Sequence, residues 1–179
     1  MDLGLTGKVA IVTGGSDGIG KAAAISMASE GAKVAIVGRT QEKLDAAVSE
    51  IKNASGGDAI GVAADVSVES DVKAMVDKVL GEFGQLDILV NNAGTSSATT
   101  LEQMTDEQLK VDFGIKVYGA VYCARAALPH LKKSGAGAIV NTTTPGGKAP
   151  NPGGQPTSLS RAAGISLTKS WAGELAKDN

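Results

Sequence analysis

Thr13-Gly14-Gly15-Ser16-Asp17-Gly18-Ile19-Gly20 follows the apolar run Val9-Ala10-Ile11-Val12 and precedes Ala22 to Ala28, which reads as a helix. The order is strand, glycine loop, helix. Glycines at 14, 18 and 20 let the backbone turn sharply, approach a ligand with no Cβ in the way, and pack the new helix on the strand. A helix start carries unpaired N–H groups and the positive end of the dipole, so an anion such as a pyrophosphate fits there. Gly15, Gly20 and Lys21 almost spell a triphosphate-binding loop, but Ala22 stands where a Ser or Thr hydroxyl must hold Mg²⁺. The alternative without a ligand is a tight strand-to-helix turn.

Working outward, Lys33-Val34-Ala35-Ile36-Val37 is a second strand, followed by Gly38-Arg39-Thr40 and a helix from Gln41 to Asn53 that Thr40 can cap. Asp58 to Ala63 reads as a weaker third strand leading to Asp65, and Ser67 can cap a helix to Phe83 with Gly84 past its end. Leu86-Asp87-Ile88-Leu89-Val90 is the fourth strand and runs into Asn91-Asn92-Ala93-Gly94. Thr105-Asp106-Glu107-Gln108 has capping-box spacing and opens one long helix through Leu128, with Pro129 near its end. Ala138 to Thr143 is the fifth strand, and a Gly- and Pro-rich loop, Pro145 to Pro156, leads to a last helix over 157–177.

Continuously apolar strands alternating with helices imply a parallel sheet covered on both faces, and right-handed crossovers give a doubly wound, Rossmann-like α/β fold of about five strands. Such folds bind ligands outside the carboxyl ends of their strands. Each distinctive cluster falls at such an end: the loop at 13–20, Gly38-Arg39, Asp65, Asn91 to Gly94, and Thr142 to Thr144. With 179 residues and no linker or repeat, residues 1–179 read as a single domain.

Composition narrows the partners. Apolar residues make up 42% and charged ones 20%, which is a globular balance. The net charge of −2 and the lack of a dense basic cluster argue against nucleic acid. The start, Met1-Asp2-Leu3-Gly4, lacks the pattern of a secretory signal, and no apolar run reaches membrane-spanning length, so a soluble cytoplasmic protein is expected. Cys123 is the only cysteine and reads as a buried small hydrophobe, while His130, also alone and expected to be exposed near the end of a helix, makes a metal site improbable.

The spacing Gly-x3-Gly-x-Gly behind a Thr, together with Asp65-Val66 and Asn91-Asn92-Ala93-Gly94, resembles the short-chain dehydrogenase/reductase family over the whole chain from Gly7-Lys8-Val9-Ala10 onward. The resemblance implies a dinucleotide held by Gly14, Ser16, Asp17, Gly18, Ile19, Gly20, Arg39, Asp65, Val66, Asn91, Ala93 and Gly94, with Asp65-Val66 at the adenine. Arg39 offers a planar cation suited to a ribose 2′-phosphate, which favours NADP and leaves NAD possible. Asp17 stands where many NADP-using relatives carry a basic residue. Carbonyl-reducing members use Asn, Ser, Tyr and Lys. Matching this chain without gaps from the fifth strand into the last helix places Thr144 at the Ser position, Thr157 at the Tyr position and Arg161 at the Lys position, with Lys116 at the Asn position.

These replacements change the chemistry unequally. Thr144 keeps a hydroxyl that can orient a carbonyl. Arg161 can hold ribose hydroxyls but stays protonated. Thr157 lacks the acidity of a phenol, whose reference pKa of about 10 already needs a shift of roughly three units, or about 4 kcal/mol, to work at neutrality. Lys116 beside Arg161 would have its pKa lowered and could serve as the acid; alternatively it pairs with a carboxylate or reaches solvent. The expected activity is hydride transfer between NADP(H) and a small carbonyl or alcohol, and the alternative is a non-catalytic cofactor-binding or interaction protein. Relatives associate through the two long helices of the second half, so a homo-oligomer is expected. The chain stops at Asn179 where relatives continue into further strands, which suggests a fragment and leaves the fifth strand at the sheet edge.

Overall fold

A computed structural model describes residues 3–178. Met1, Asp2 and Asn179, on which the expectations about the two ends of the chain partly rest, lie outside the described residues. Five strands form one parallel sheet: β1 (Val9–Thr13), β2 (Lys33–Gly38), β3 (Ala59–Ala63), β4 (Ile88–Asn91) and β5 (Ala138–Asn141), in the order β3-β2-β1-β4-β5. The chain runs outward from β1 to β3, returns to β4 beside β1, and continues outward to β5. The crevice between the carboxyl ends of β1 and β4 is therefore the switch point at which such sheets bind ligands.

Burial explains the sequence pattern. Every residue of β1 is buried, because the helices α1 (Gly18–Ser29) and α2 (Gln41–Ser55) pack on one face of the sheet while α3 (Glu69–Phe83) and α5 (Gly119–Ser134) pack on the other. Val12, Ala24, Ile36, Leu44 and Ile51 form the first half of the core, and Ile11, Val37, Val72, Leu89 and Cys123 belong to the second. A strand with apolar neighbours on both faces has no reason to alternate, so β1 and β2 read as unbroken apolar runs.

The helices correct the sequence reading in four places. Helix α1 begins at Gly18, not at Ala22, because Asp17 caps it by accepting the Gly18 N–H at 2.7 Å. Ser67 does not cap α3. Its hydroxyl and N–H both bind Asp65, at 2.6 and 2.9 Å, and Val68 takes the cap position. Thr40 precedes α2 but makes no side-chain cap bond. The long helix expected from Thr105 to Leu128 stays helical throughout, but it carries a π-helical turn over Gly114–Tyr118 between α4 (Asp106–Phe113) and α5 and runs on to Ser134. Its capping box is present, with Gln108 N–H on Thr105 Oγ1 at 3.2 Å and Thr105 N–H on Gln108 Oε1 at 2.9 Å. Pro129 lies inside α5, which runs on to Ser134, so His130 falls within the helix and is half-buried there and not exposed as expected.

The last helix, α6 (Thr157–Leu175), buries fully only Ser158 and Ser160. Strand β5 pairs only with β4 among the described residues, and Val140 on it is 51% exposed. No described helix is long and apolar enough to cross a membrane.

Cys123 is fully buried, and burial pushes its thiol up to about 12. The unfolded thiol ionises near 8.5, so protons leave the unfolded chain first, and stability is expected to fall as pH rises from about 9 toward 12. A Cys123→Ala variant should lose part of that alkaline slope in denaturant titrations. In the wild type an aromatic disulfide reagent should label the thiol only at the rate of global unfolding.

Candidate functional site

The loop after β1 is held from beneath. The Thr13 hydroxyl accepts the N–H groups of Asn92 and Ala93 at 2.9 and 3.0 Å, and the Asn92 amide donates to Thr13 O and Gly14 O at 3.0 and 3.2 Å. The Gly14 and Gly15 N–H groups both go to Val37 O, at 2.8 and 3.2 Å. The residues after β4 and the end of β2 therefore clamp the loop from two sides. Gly14 has φ +64° and lies so close to Ala93 that a Cβ would sit 3.0 Å from its Cα. Gly20 is tighter, since a Cβ there would run into the Gly14 carbonyl and sit 2.5 Å from Asn92 Nδ2. The glycine spacing thus keeps the loop thin where β1, β4 and α1 converge.

A cleft of about 220 Å³ crosses the carboxyl edge of the sheet. Of the residues predicted for the cofactor, Gly14, Ser16, Arg39, Asp65, Val66, Ala93 and Gly94 line it. Thr40 and Lys43 line it too, and the Ser16 hydroxyl lies beside Gly38, next to Arg39. Asp17, Gly18 and Ile19 sit exposed on the outer rim of the loop, with Ile19 at 73% exposure, and Gly20 is buried under it. Asp17 spends one carboxylate oxygen on the cap of α1, a local reason for an acid at this position. Asn91 is buried away from the cleft, where its amide donates to Asn141 Oδ1 at 2.9 Å. The Ser67 hydroxyl holds the Asp65 carboxyl below its ordinary range against the opposing effect of burial; the Ser67 N–H and Arg39 add to the lowering.

The catalytic candidates divide into a cluster and an outlier. Lys116, on the π-helical turn, forms an ion pair with Asp112 and donates to Thr157 Oγ1 at 3.2 Å. Its side chain is 1% exposed and that of Asp112 is 0%. Thr157 donates to Asp112 Oδ2 at 3.3 Å, and Ser160 donates to Asp112 Oδ1. Arg161 donates to the Thr142 carbonyl, packs against Gly94 beside the Lys116 methylenes, and keeps its Nε buried without a hydrogen-bond partner. The space between Arg161, Lys116, Asn91 and Thr13 is only about 20 Å³, too small for a substrate. Thr144 is exposed at the start of a 3₁₀ turn, Pro145–Gly147, that packs on α6 at Arg161. Among the described residues its hydroxyl bonds none of the other three candidates.

Burial pulls the Lys116 ammonium below the ordinary lysine range; the hydrogen bond and charge of Asp112 oppose this, and the charge of Arg161 adds to it. The sequence reading holds open both a nearby Arg161 and a carboxylate partner for Lys116, and the structure contains both. Asp112, Ser160 and Lys43 are not singled out by motif spacing, and Thr13 and Asn92 stand in the quoted motifs with no role assigned to their side chains. Asp112 and Lys116 stand four apart, a signal that marks any helical ion pair, and only burial separates this one from Lys73 and Asp77 on the surface. No group of three or more His, Cys, Asp or Glu placed to hold a metal occurs among the described residues.

A parallel sheet with this crevice and a glycine loop clamped at its switch point defines a nucleotide-binding α/β protein of the doubly wound class. The family model of the short chain dehydrogenases matches residues 8–179. The chain belongs to the short-chain dehydrogenase/reductase family of oxidoreductases. It is 40% identical over 171 residues to the oxidoreductase asL5 of Sarocladium schorii, covering 96% of this chain and 67% of that protein. To the 3-oxoacyl-[acyl-carrier-protein] reductase FabG of Staphylococcus aureus it is 39% identical over 170 residues, covering 94% and 69%. Among solved structures, L-sorbose reductase from Gluconobacter frateurii complexed with NADPH and L-sorbose superposes with a TM-score of 0.95 at 37% identity, over 100% of this chain and 68% of that one. NAD⁺-bound xylitol dehydrogenase gives 0.93 at 32%, over 98% and 67%. The chain thus spans about two thirds of the length of these relatives.

Proposed function

We propose that the chain binds NADP(H) across the carboxyl edge of its sheet and transfers hydride between that cofactor and a small carbonyl or alcohol. The observation that carries the reading is the cleft running from the clamped loop at Gly14 and Ser16 past Arg39 to Asp65 and Val66. The residues fit the group: glycines at 14 and 20 let the loop pack closely on Asn92 and Ala93, and Ser16, Arg39 and Lys43 gather one hydroxyl and two cations near the end of β2. Such a set suits a 2′-phosphate, which the Arg fork can grip bidentately. Asp65 and Val66 then flank the adenine, and Ala93 and Gly94 form the wall toward α6.

A bound nicotinamide supplies or accepts the hydride. The chain's own residues place the other reactant: Thr144, exposed at the head of its 3₁₀ turn, orients the substrate oxygen, and Arg161 fixes that turn by packing beneath Gly147 and binding the Thr142 carbonyl. The thinly buried α6 and the exposed Tyr118 and Leu159 support self-association through α5 and α6. A cytoplasmic setting agrees with a dinucleotide-dependent reaction.

NADPH fluorescence titration tests the binding half, and turnover on a panel of ketones and alcohols tests the chemistry. Arg39→Ala is expected to weaken NADPH by about 10- to 100-fold, the worth of a charge-assisted pair, and to change NADH affinity by less than about threefold. Equal losses for both would sink the NADP preference, and binding without turnover would leave a cofactor-holding protein.

A further inference from the structure

Four polar side chains meet between the π-helical turn and the first turns of α6. Asp112, Lys116 and Ser160 are buried, and Thr157 alone of the four is half-open. Thr157 Oγ1 accepts from Lys116 Nζ at 3.2 Å and from the Ser97 N–H at 3.2 Å, and it donates to Asp112 at 3.3 Å. Ser97 lies just past Thr95 on the wall of the cleft. The bond from Thr157 to Asp112 is the one in which the Thr157 hydroxyl donates, so it is the one exchanged when that proton turns to another oxygen. Asp112 keeps Lys116 and Ser160 as donors when that happens.

We propose that Lys116 holds the proton of the reaction and passes it through the Thr157 hydroxyl to the substrate oxygen, with Asp112 and Ser160 as positioning residues. The inference rests on the hydride-transfer reading above. In the reducing direction hydride adds to the carbonyl carbon and the π pair moves onto oxygen. That oxygen takes the Thr157 proton as Thr157 Oγ1 takes one from Lys116 Nζ, so one N–H bond breaks and one O–H bond forms on the product. Lys116 is left as a neutral amine and, once the product has left, regains its proton from water through the half-open Thr157 hydroxyl, which passes its proton inward as it takes one from the solvent. The carbonyl is reduced at the expense of the reduced dinucleotide, and alcohol oxidation runs each step backwards.

The setting suits a lysine and not the neighbouring arginine. An ammonium stripped of water and faced by a guanidinium releases its proton more readily than one in solvent, whereas a guanidinium stays charged. The ionisable groups facing Lys116 are Asp112, from the same helical stretch, and Arg161, from α6. Asp112 opposes the release and so sets its level. A π-helical insertion is a frequent mark of a functional position in a helix, and here it presents Lys116 to Thr157.

The test combines ¹³Cε lysine NMR of the full chain with NADPH-driven turnover of a ketone panel. Lys116 is expected to titrate below the surface lysines, and Asp112→Asn to lower it further and move the alkaline limb of the kcat profile to lower pH. Thr157→Val should cut kcat about 100-fold or more with the NADPH Kd within about threefold, and Thr157→Ser should return kcat to within about tenfold of wild type. Titration of Lys116 with or above the surface lysines, an unmoved limb, or full turnover by Thr157→Val overturns the proton route. NADPH binding without turnover of any ketone also overturns it and leaves the binding reading intact. Failure to bind NADPH overturns both.

Discussion

Lys116→Met is expected to lower the unfolding free energy by about 3–5 kcal/mol, because it leaves the Asp112 carboxylate buried without its ion-pair partner, with only the more distant charge of Arg161 to offset it. At this chain length that corresponds to a fall in Tm of about 10 °C. The loss is not a measure of what the pair contributes. Two charges at 1% and 0% exposure have given up their hydration, and their attraction offsets most of that cost without exceeding it by much. Asp112→Asn combined with Lys116→Met should therefore recover more than half of the lost stability, since Asn keeps an acceptor for Ser160 and carries no charge. Guanidinium unfolding of the four members of the cycle reads the coupling directly. Additive losses would show that the carboxylate is not held by Lys116.

Gly20→Ala carries the second large effect, on binding as well as on stability. The added methyl meets the backbone carbonyl of Gly14 and the Asn92 side-chain amide, which is pinned by its bonds to Thr13 O and Gly14 O. The loop has to move away from β4, which breaks the Asn92 bonds to Thr13 O and Gly14 O. We expect a stability loss of about 1–3 kcal/mol, the usual range for overpacking, and a loss of NADPH affinity of about 100-fold or more, since misplacing a preformed cradle costs more than removing one contact. Calorimetric titration alongside thermal unfolding separates the two. Unchanged affinity would mean that the phosphates do not rest on this loop.

The strands were legible because burial on both faces removes every reason for a polar residue within them. Val9 to Val12 and Lys33 to Val37 stand out for that reason, whereas the run before Asn141 is apolar although Val140 on it is half exposed. Helix starts were less legible where a side chain had two possible partners. Ser67 suits a cap in sequence, but the Asp65 carboxylate outcompetes the backbone for its hydroxyl. Asp17 reads as a loop acid until Gly18 donates to it. The π turn at Gly114 was invisible because it leaves the composition of a helix unchanged and alters only which residues share a face. The candidate catalytic cluster depends on that stretch: Asp112 and Lys116, already neighbours at four residues apart, both meet Thr157 of α6 there, whereas motif matching finds Lys116 alone. Thr144, Thr157 and Arg161 were found by position in a pattern, and no pattern states that Ser160 and Asp112 tie two of the elements together.

The place of β1 at the middle of the sheet has a consequence for how the protein is made. Ala10 pairs with Val34 on one side and with Ile88 on the other, so the two edges of one strand are satisfied at very different points in synthesis. When β2 has emerged from the ribosome, the first edge can close, but the second stays bare until β4 follows some fifty residues later. At about 5–20 residues per second that interval lasts several seconds, during which an apolar strand edge is open to other chains. The Asn92 amide that seats the glycine loop emerges last of all. The loop that the sequence announces first is thus the part of the amino-terminal half that takes its final shape latest.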